Sequence, residues 1–308
     1  MTTLRLDGII PAVALPMTPD GNPDLEAFAA YLRWISDQGP IALAVNADTG
    51  EGPHLSADER MAVLHAALEA VGDRLPIIAG LAGPYTGAAV AAARSFERAG
   101  AAGLLVFPIP AYGGQPLDGE IPYAYHAAIA DASPLPLVLF QLQPALGGVI
   151  FEDATLERLV EIPSVVALKE ASFDAVRFVR TRDLLRALRP ISFLTGNDNF
   201  IHESFVLGAD GALIGMAAIA TRHQVDLFEA HLAGDVARAA QIAARLDPLF
   251  TATFAPPVRN YRARIKDGLV MQGIIPSAAV RAPLHPISTA EHAAMRRAIA
   301  AIGEAVHA

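Results

Sequence analysis

The segment Ser164-Val165-Val166-Ala167-Leu168-Lys169-Glu170 carries five apolar or small residues into a lysine. Such a run fits a strand buried on both faces, with the lysine at its C-terminal end. Lys169 and Lys266 are the only lysines among 23 Lys and Arg residues. A guanidinium keeps its proton in a protein, whereas a lysine amine can shed one and attack carbonyl carbon. Apolar surroundings disfavour the ammonium and lower its pKa. The segment therefore predicts a Schiff-base lysine at Lys169. Two plain readings compete with it: a solvated lysine just past a strand, or a lysine paired with Glu170.

Outward from this segment, short apolar runs alternate with longer alanine-rich amphipathic stretches, the pattern of repeated βα units. Strands are expected at 9–15, 41–46, 75–79, 103–107, 136–141, 164–168, 191–194 and 212–214. The intervening helices begin near Asp24 and at a Ser56/Glu59 capping box, then cover 86–99, the stretch after a loop at 108–119, 153–161, 174–188, 198–207 and 221–233. Eight such units predict an α/β fold, a closed (β/α)₈ TIM barrel over residues 1–233. A doubly wound sheet is the competitor. It calls for a glycine-rich turn after the first strand, and Pro16-Met17-Thr18-Pro19 is not one. Residues 234–308 read as a C-terminal helical domain with helices at 235–253, 258–272 and 288–306, an appendage packed on the barrel.

Bulk properties narrow the partners. The 308 residues are 53% hydrophobic and 18% charged, with net charge −9 and pI near 5.4. That balance disfavours nucleic acid or an anionic membrane as partner, yet leaves small anionic substrates open because a local site can oppose the net charge. With no cysteine, disulfides and thiolate chemistry are excluded. Residues 1–21 hold one arginine and an apolar run broken by Pro11 and Pro16, which does not read as a secretory leader. The long uncharged stretch at 132–151 is interrupted by prolines and glutamines and does not read as a membrane span. The expectation is a soluble, cytoplasmic protein.

Active sites of such barrels gather at strand C-termini. There the chain places Asp48-Thr49-Gly50-Glu51, the 108–112 loop with Tyr112, Phe140-Gln141, Lys169, Thr195-Gly196-Asn197-Asp198, and Leu213 with Ile214-Gly215. Asp198 and His202 stand four apart, a spacing that suits two ligands on one helix face; no second cluster supports a metal, and none is expected. His54, Tyr85 and the group Arg259, Arg262, Arg264 read as surface or helix contacts.

Nearly the whole chain resembles the N-acetylneuraminate lyase and dihydrodipicolinate synthase family of class I, lysine-dependent 2-oxo-acid lyases. The likeness is carried by Ile9-Ile10-Pro11-Ala12 with Pro16-Met17-Thr18-Pro19-Asp20-Gly21, by Ala47-Asp48-Thr49-Gly50-Glu51 and by Leu55-Ser56-Ala57-Asp58-Glu59-Arg60. It continues through Ala167-Leu168-Lys169-Glu170-Ala171-Ser172, Leu194-Thr195-Gly196-Asn197-Asp198, Gly208-Ala209-Asp210-Gly211 and Val280-Arg281-Ala282-Pro283-Leu284. The resemblance implies a homo-oligomer, a tetramer or dimer, in which Lys169 condenses with pyruvate or another 2-oxo acid and no further cofactor is needed. It also implies that the Asp48-Thr49-Gly50 turn holds the substrate carboxylate through backbone N–H groups and the Thr49 hydroxyl. Gln141, Gly196 and Leu213 complete the candidate binding set.

This chain departs from the family pattern where protons move. Phe140 stands where the resemblance implies a catalytic tyrosine, and Pro110 falls on a second tyrosine position. The arginine that binds the synthase's aldehyde partner is missing from Ala145-Leu146-Gly147-Gly148. A true dihydrodipicolinate synthase is therefore not expected. Asp48, or Tyr112 swinging in, is the expected proton carrier. Aldol cleavage releasing pyruvate and dehydration of a 2-keto-3-deoxy sugar acid stay open. So do a pyruvate-binding protein without turnover and a metal-dependent barrel hydrolase in which Lys169 only pairs with Glu170.

Overall fold

The structure, a computed structural model, describes residues 4, 6–114 and 116–306. The reading of residues 1–21, and the outer limits 1 and 308 of the expected domains, fall partly outside them. Eight parallel strands are present: β1 (Ile9–Pro11), β2 (Leu43–Val45), β3 (Ile77–Leu81), β4 (Gly103–Val106), β5 (Leu137–Leu142), β6 (Val165–Ala171), β7 (Ser192–Thr195) and β8 (Gly211–Ile214). Their order is β1-β8-β7-β6-β5-β4-β3-β2. The ring closes where Ala12 bridges Ala44 and the N–H of Val13 donates to the Ala44 carbonyl at 3.1 Å. A closed ring leaves no sheet edge exposed, and the doubly wound alternative is set aside.

The strands alternate two sets of side chains. Ile10, Ala44, Ile78, Leu105, Val138, Ala167, Leu194 and Leu213 fill the barrel interior, while Ile9, Val45, Ala79, Leu139 and Leu168 face the helices. The helices are α1 (Leu25–Ser36), α2 (Ala57–Val71), α3 (Thr86–Ala99), α4 (Glu120–Ala132), α5 (Asp153–Glu161), α6 (Ala175–Leu188), α7 (Ile201–Val206) and α8 (Thr221–Leu232). Their starts follow local chemistry. Ser56 and Glu59 form the capping box, and the Asp24 side chain accepts from the Ala27 N–H.

Two differences from expectation matter for the site. β6 runs to Ala171, so Lys169 is a ladder residue rather than one just beyond the strand. The shorter α7 begins at Ile201, which leaves 196–200 as a loop at the barrel mouth.

After the barrel come α9 (Val236–Phe254), α10 (Tyr261–Met271) and α11 (Thr289–Ala301). The expected boundary at 233/234 falls in the turn between α8 and α9. Leu246, Leu249, Ile265, Leu269, Met295 and Ile299 nonetheless belong to the same buried cluster as the barrel's outer face. Charge fixes α10 against the barrel mouth. Lys266 Nζ lies 2.5 Å from Glu51, both side chains are sealed from water, and Lys266 also donates to the Ala279 carbonyl at 2.8 Å. The Arg281 N–H donates to the other Glu51 oxygen at 2.9 Å, and its guanidinium pairs with Glu59. Glu51 thus orients its turn. Through these contacts the tail holds the loop after β2 in place. Among the described residues, no helix is long and apolar enough to cross a membrane.

Candidate active site

Lys169 pairs in register with Phe140 of β5 and Leu194 of β7. From Ala167 onward β6 alternates strictly, so Lys169 points into the barrel and Glu170 points out. Glu170 is fully buried among the helices, where it accepts from Gln141 at 3.3 Å, from the Ser172 N–H at 3.1 Å and from Asn197 at 2.6 Å. Burial pushes its carboxyl up, with these donors pulling the other way. The competing Lys169–Glu170 pair therefore does not form, and the hydrolase alternative that relied on it loses its basis. Gln141 faces the same outer side, bonded to Glu170, Thr181 and the Phe151 N–H. It reaches no substrate position, which corrects the expectation placed on it.

Lys169 is 7% exposed, and its Nζ stands 4.3 Å from the centre of the Phe140 ring. Its crevice is lined by Thr49, Gly196, Asp198, Gly215 and Tyr261. Burial lowers the amine to about 8, while the carboxylates of Asp198 and Asp48 oppose that shift. Asp198 accepts from the N–H groups of Met216 at 2.8 Å and Gly215 at 3.4 Å. Burial raises it to about 6 against those donors and the Lys169 charge. An amine near 8 and a carboxyl near 6 in one crevice are matched to proton traffic around neutral pH. Asp198 was read from sequence only as a strand-end residue or as a ligand with His202. The two do not share a helix face, because α7 starts at Ile201.

Asp48 has different surroundings from those expected. Tyr261 donates its hydroxyl to the carboxylate at 2.6 Å, Arg262 Nη2 pairs with the other oxygen, and Arg262 Nε donates to the Asp48 carbonyl at 2.7 Å. Burial pushes Asp48 up, but the Arg262 charge and these donors outweigh it and hold the carboxyl below its ordinary value. A carboxylate kept ionised this firmly is a poor proton carrier, so Asp198 fits that task better than Asp48. The Tyr261 phenol is raised well above its ordinary value by burial and then by Asp48. Tyr261 and Arg262, both buried, come from α10. Of the two readings for these arginines, surface or helix contact, Arg262 and Arg264 take the second: Arg264 is buried against Glu291 and the carbonyls of Thr253 and Ala255.

The remaining candidates separate. A Cβ on Gly196 would meet Lys169 Cε at 2.6 Å, so this glycine makes room for the lysine. A Cβ on Gly50 would meet the Val13 carbonyl at 2.8 Å, which makes its part close packing under the turn. Leu213 fills the barrel interior one layer below the crevice, and Gly215, two residues on, is the lining residue. Tyr112 does not swing in. Its ring packs edge-on against Tyr125 and Phe151 between barrel and helices, and its buried hydroxyl has no hydrogen-bond partner. Asn46, Glu51 and Phe173 hold φ of 54°, 58° and 62°, left-handed backbone in loops that border the mouth.

The Lys169 crevice is narrow, about 30 Å³. Beside it lies a cavity of about 440 Å³ that shares Asp48, Leu142 and Leu146 and extends over Phe107, Ile109, Pro110 and Arg259. A cavity of about 520 Å³ opens at the other end of the barrel, among Leu6, Pro136 and Ser192. That end carries stability rather than chemistry in barrels of this kind, and Lys169 faces away from it.

The sequence profile of the Dihydrodipicolinate synthetase family matches residues 5–302. The chain belongs to this family. Among its relatives is 4-hydroxy-tetrahydrodipicolinate synthase 2 of Streptomyces coelicolor, 32% identical across 96% of this chain and 95% of that protein. The 4-hydroxy-tetrahydrodipicolinate synthase of Sphingopyxis alaskensis is 34% identical across 96% and 98%. The dihydrodipicolinate synthase structure from Thermotoga maritima superposes with a TM-score of 0.88 at 26% identity, over 97% of this chain and 99% of that one. The Acinetobacter baumannii synthase, solved with pyruvate, gives 0.85 at 28% over 97% and 99%. The family is one of lyases, and its barrel is the fold found here. Within it, Phe140 offers Lys169 an aromatic face without a hydroxyl. The phenol nearest the crevice belongs to Tyr261, on a helix that no reading of strand ends could reach.

Proposed function

We propose that the chain is a class I lyase that forms a Schiff base between Lys169 and a 2-oxo acid. The observation that carries the reading is one inward-facing, buried lysine whose amine is lowered to about 8, beside a carboxyl raised to about 6. The neutral amine adds to the ketone carbon, and loss of water leaves an imine. Once protonated, that imine draws in the electron pair of the C3–C4 bond or of C3–H. In aldol cleavage the C4 hydroxyl gives up its proton as the aldehyde departs, the enamine takes a proton at C3, and water releases pyruvate and the amine. In dehydration the C3 proton leaves first and the C4 hydroxyl departs as water.

Asp198 is the group we assign to these proton transfers, with the Tyr261 hydroxyl as the relay that Phe140 lacks. The Thr49 hydroxyl and the N–H groups of the Asp48-Thr49 turn take the substrate carboxylate. Asp48 serves as the ionised anchor for Tyr261 and Arg262. The reading calls on no metal or dissociable cofactor, since the lysine supplies the electron sink. Because Phe140 and Pro110 stand where the family pattern has tyrosines, and its arginine is missing from Ala145-Leu146-Gly147-Gly148, we read the reaction as cleavage or dehydration. A pyruvate-releasing 2-oxo acid or a 2-keto-3-deoxy sugar acid is the substrate we infer, and a homo-oligomer, checked by sedimentation, is the form we expect.

The test is a panel of 2-oxo acids assayed for released pyruvate and for lost water, with the synthase reaction run alongside. Turnover of a panel member, slowed on the order of 100-fold in Tyr261→Phe while its imine still forms, supports the assignment. Imine formation without turnover of any member identifies a binding protein instead, and turnover in the synthase reaction overturns the substrate reading.

A further inference from the structure

The wide cavity beside the crevice has a charge that the chain as a whole does not. Its lining includes Arg60, Arg259 and Arg262 against one carboxylate, Asp48, in a protein of net charge −9. Asp48 is already matched by Arg262, so the other two guanidiniums face the cavity without an acidic partner in its lining. Arg60 is tied down, donating to the carbonyls of Leu55 at 2.9 Å and Gly52 at 3.4 Å. Arg259 is exposed on the turn before α10, with its guanidinium over Gly147 in the loop after β5, where a Cβ would come within 3.4 Å. Arg262 is 2% exposed, and its Nη1 is buried with no hydrogen-bond partner. A buried guanidinium with an unsatisfied donor is costly unless an acceptor completes it.

We propose that this cavity is a subsite for a second anionic group, a carboxylate or phosphate at the far end of the 2-oxo acid, held by Arg259 and Arg262. The proposal rests on the Schiff-base reading for the near end of the substrate. The volumes agree with it. The crevice of about 30 Å³ admits little more than a reacting group, so the body of a longer substrate lies in the cavity of about 440 Å³. Arginine suits the task because its planar fork meets carboxylate and phosphate through paired hydrogen bonds. Both arginines reach the cavity from the C-terminal segment, and neither lies in Ala145-Leu146-Gly147-Gly148, where the family's arginine is missing. The subsite is thus built differently from the one the family pattern led us to expect.

The experiment has two arms on the full chain. In the first, borohydride trapping is titrated with 2-oxopentanoate and with its acid-terminated counterpart 2-oxoglutarate. The half-saturating concentration is expected to be about tenfold lower for the charged compound, the worth of one charge-assisted hydrogen bond. Arg259→Gln is expected to shrink that ratio severalfold, and Arg238→Gln, an exposed arginine of α9, to leave it unchanged. In the second arm, glutarate and inorganic phosphate are titrated calorimetrically without any imine chemistry, and the tighter of the two names the terminal group. Equal half-saturation for the two oxo acids, or a ratio indifferent to Arg259→Gln, overturns the subsite. Absence of trapping with saturable, Arg259-dependent anion binding in the calorimeter overturns the Schiff-base reading and keeps the subsite; heat from neither anion overturns it.

Discussion

Replacing Gly196 by alanine tests how tightly the barrel positions its lysine. The new Cβ would stand 2.6 Å from Lys169 Cε and 3.0 Å from Lys169 Cγ and the Ala171 methyl. Carbon atoms prefer a separation of about 3.5 Å, so the lysine has to retreat by roughly 1 Å. It cannot do so freely, because Phe140 and Leu194 flank it in the ladder. Overpacking of this kind costs about 1–3 kcal/mol, which a domain of ordinary stability survives. A reacting atom misplaced by about 1 Å loses on the order of 100-fold in rate. Rapid-quench borohydride trapping with pyruvate, read by intact mass, is therefore expected to slow by about that factor in Gly196→Ala. Thermal melting is expected to fall only modestly. A folded Gly196→Ala protein that forms the imine at the wild-type rate would refute the placement of the lysine against this glycine.

The rate of imine formation should climb about tenfold per pH unit and level off near pH 8, because only the neutral amine attacks. In Asp198→Asn the inflection should move lower, since a carboxylate that supports the ammonium has gone; an inflection at the ordinary lysine value of 10.5, or one that moves higher, contradicts this. Lys169→Met should stabilise the fold at pH 7 by up to about 3 kcal/mol, because the folded lysine sheds its proton at about 8 and the unfolded one keeps it to 10.5. Between those values the unfolded chain binds more protons, so wild-type stability rises with pH and the variant's advantage should shrink between pH 8 and 10; melts at both ends check the sign. Lys266→Met leaves the Glu51 carboxylate buried without its cation and should cost about 3–5 kcal/mol in urea unfolding, with part recovered on adding Glu51→Gln. No recovery in the double variant would show that the pair is not the source of the loss.

How far these features could be read in the amino-acid chain depends on the range of the signal. Strand and helix order came from local periodicity, and the capping pairs Ser56/Glu59 and Ser288/Glu291 mark helix starts within four residues. Lys169 stood out for its rarity and its apolar approach. The outward face of Gln141, and the opposite facing of Lys169 and Glu170, could have been read from strand alternation alone. Side chains of adjacent strand residues point to opposite faces, so Phe140 with Gln141, and Lys169 with Glu170, cannot both face the mouth. Tyr112 was misplaced for another reason: the loop after β4 turns its ring back into the outer core, where Tyr125 and Phe151 wait. Tyr261 and Arg262 were out of reach altogether. Their partner Asp48 lies more than two hundred residues away, and no periodicity in α10 reports a contact at that separation.

The account turns on whether Lys169 condenses with a ketone. Incubation with pyruvate and borohydride, followed by digestion and peptide mass analysis, decides it. A reduced pyruvyl group on the peptide carrying Lys169, and absent from Lys169→Met, is the predicted result. An unmodified chain, or a label on Lys266 in its place, would contradict the mechanism and leave only the barrel.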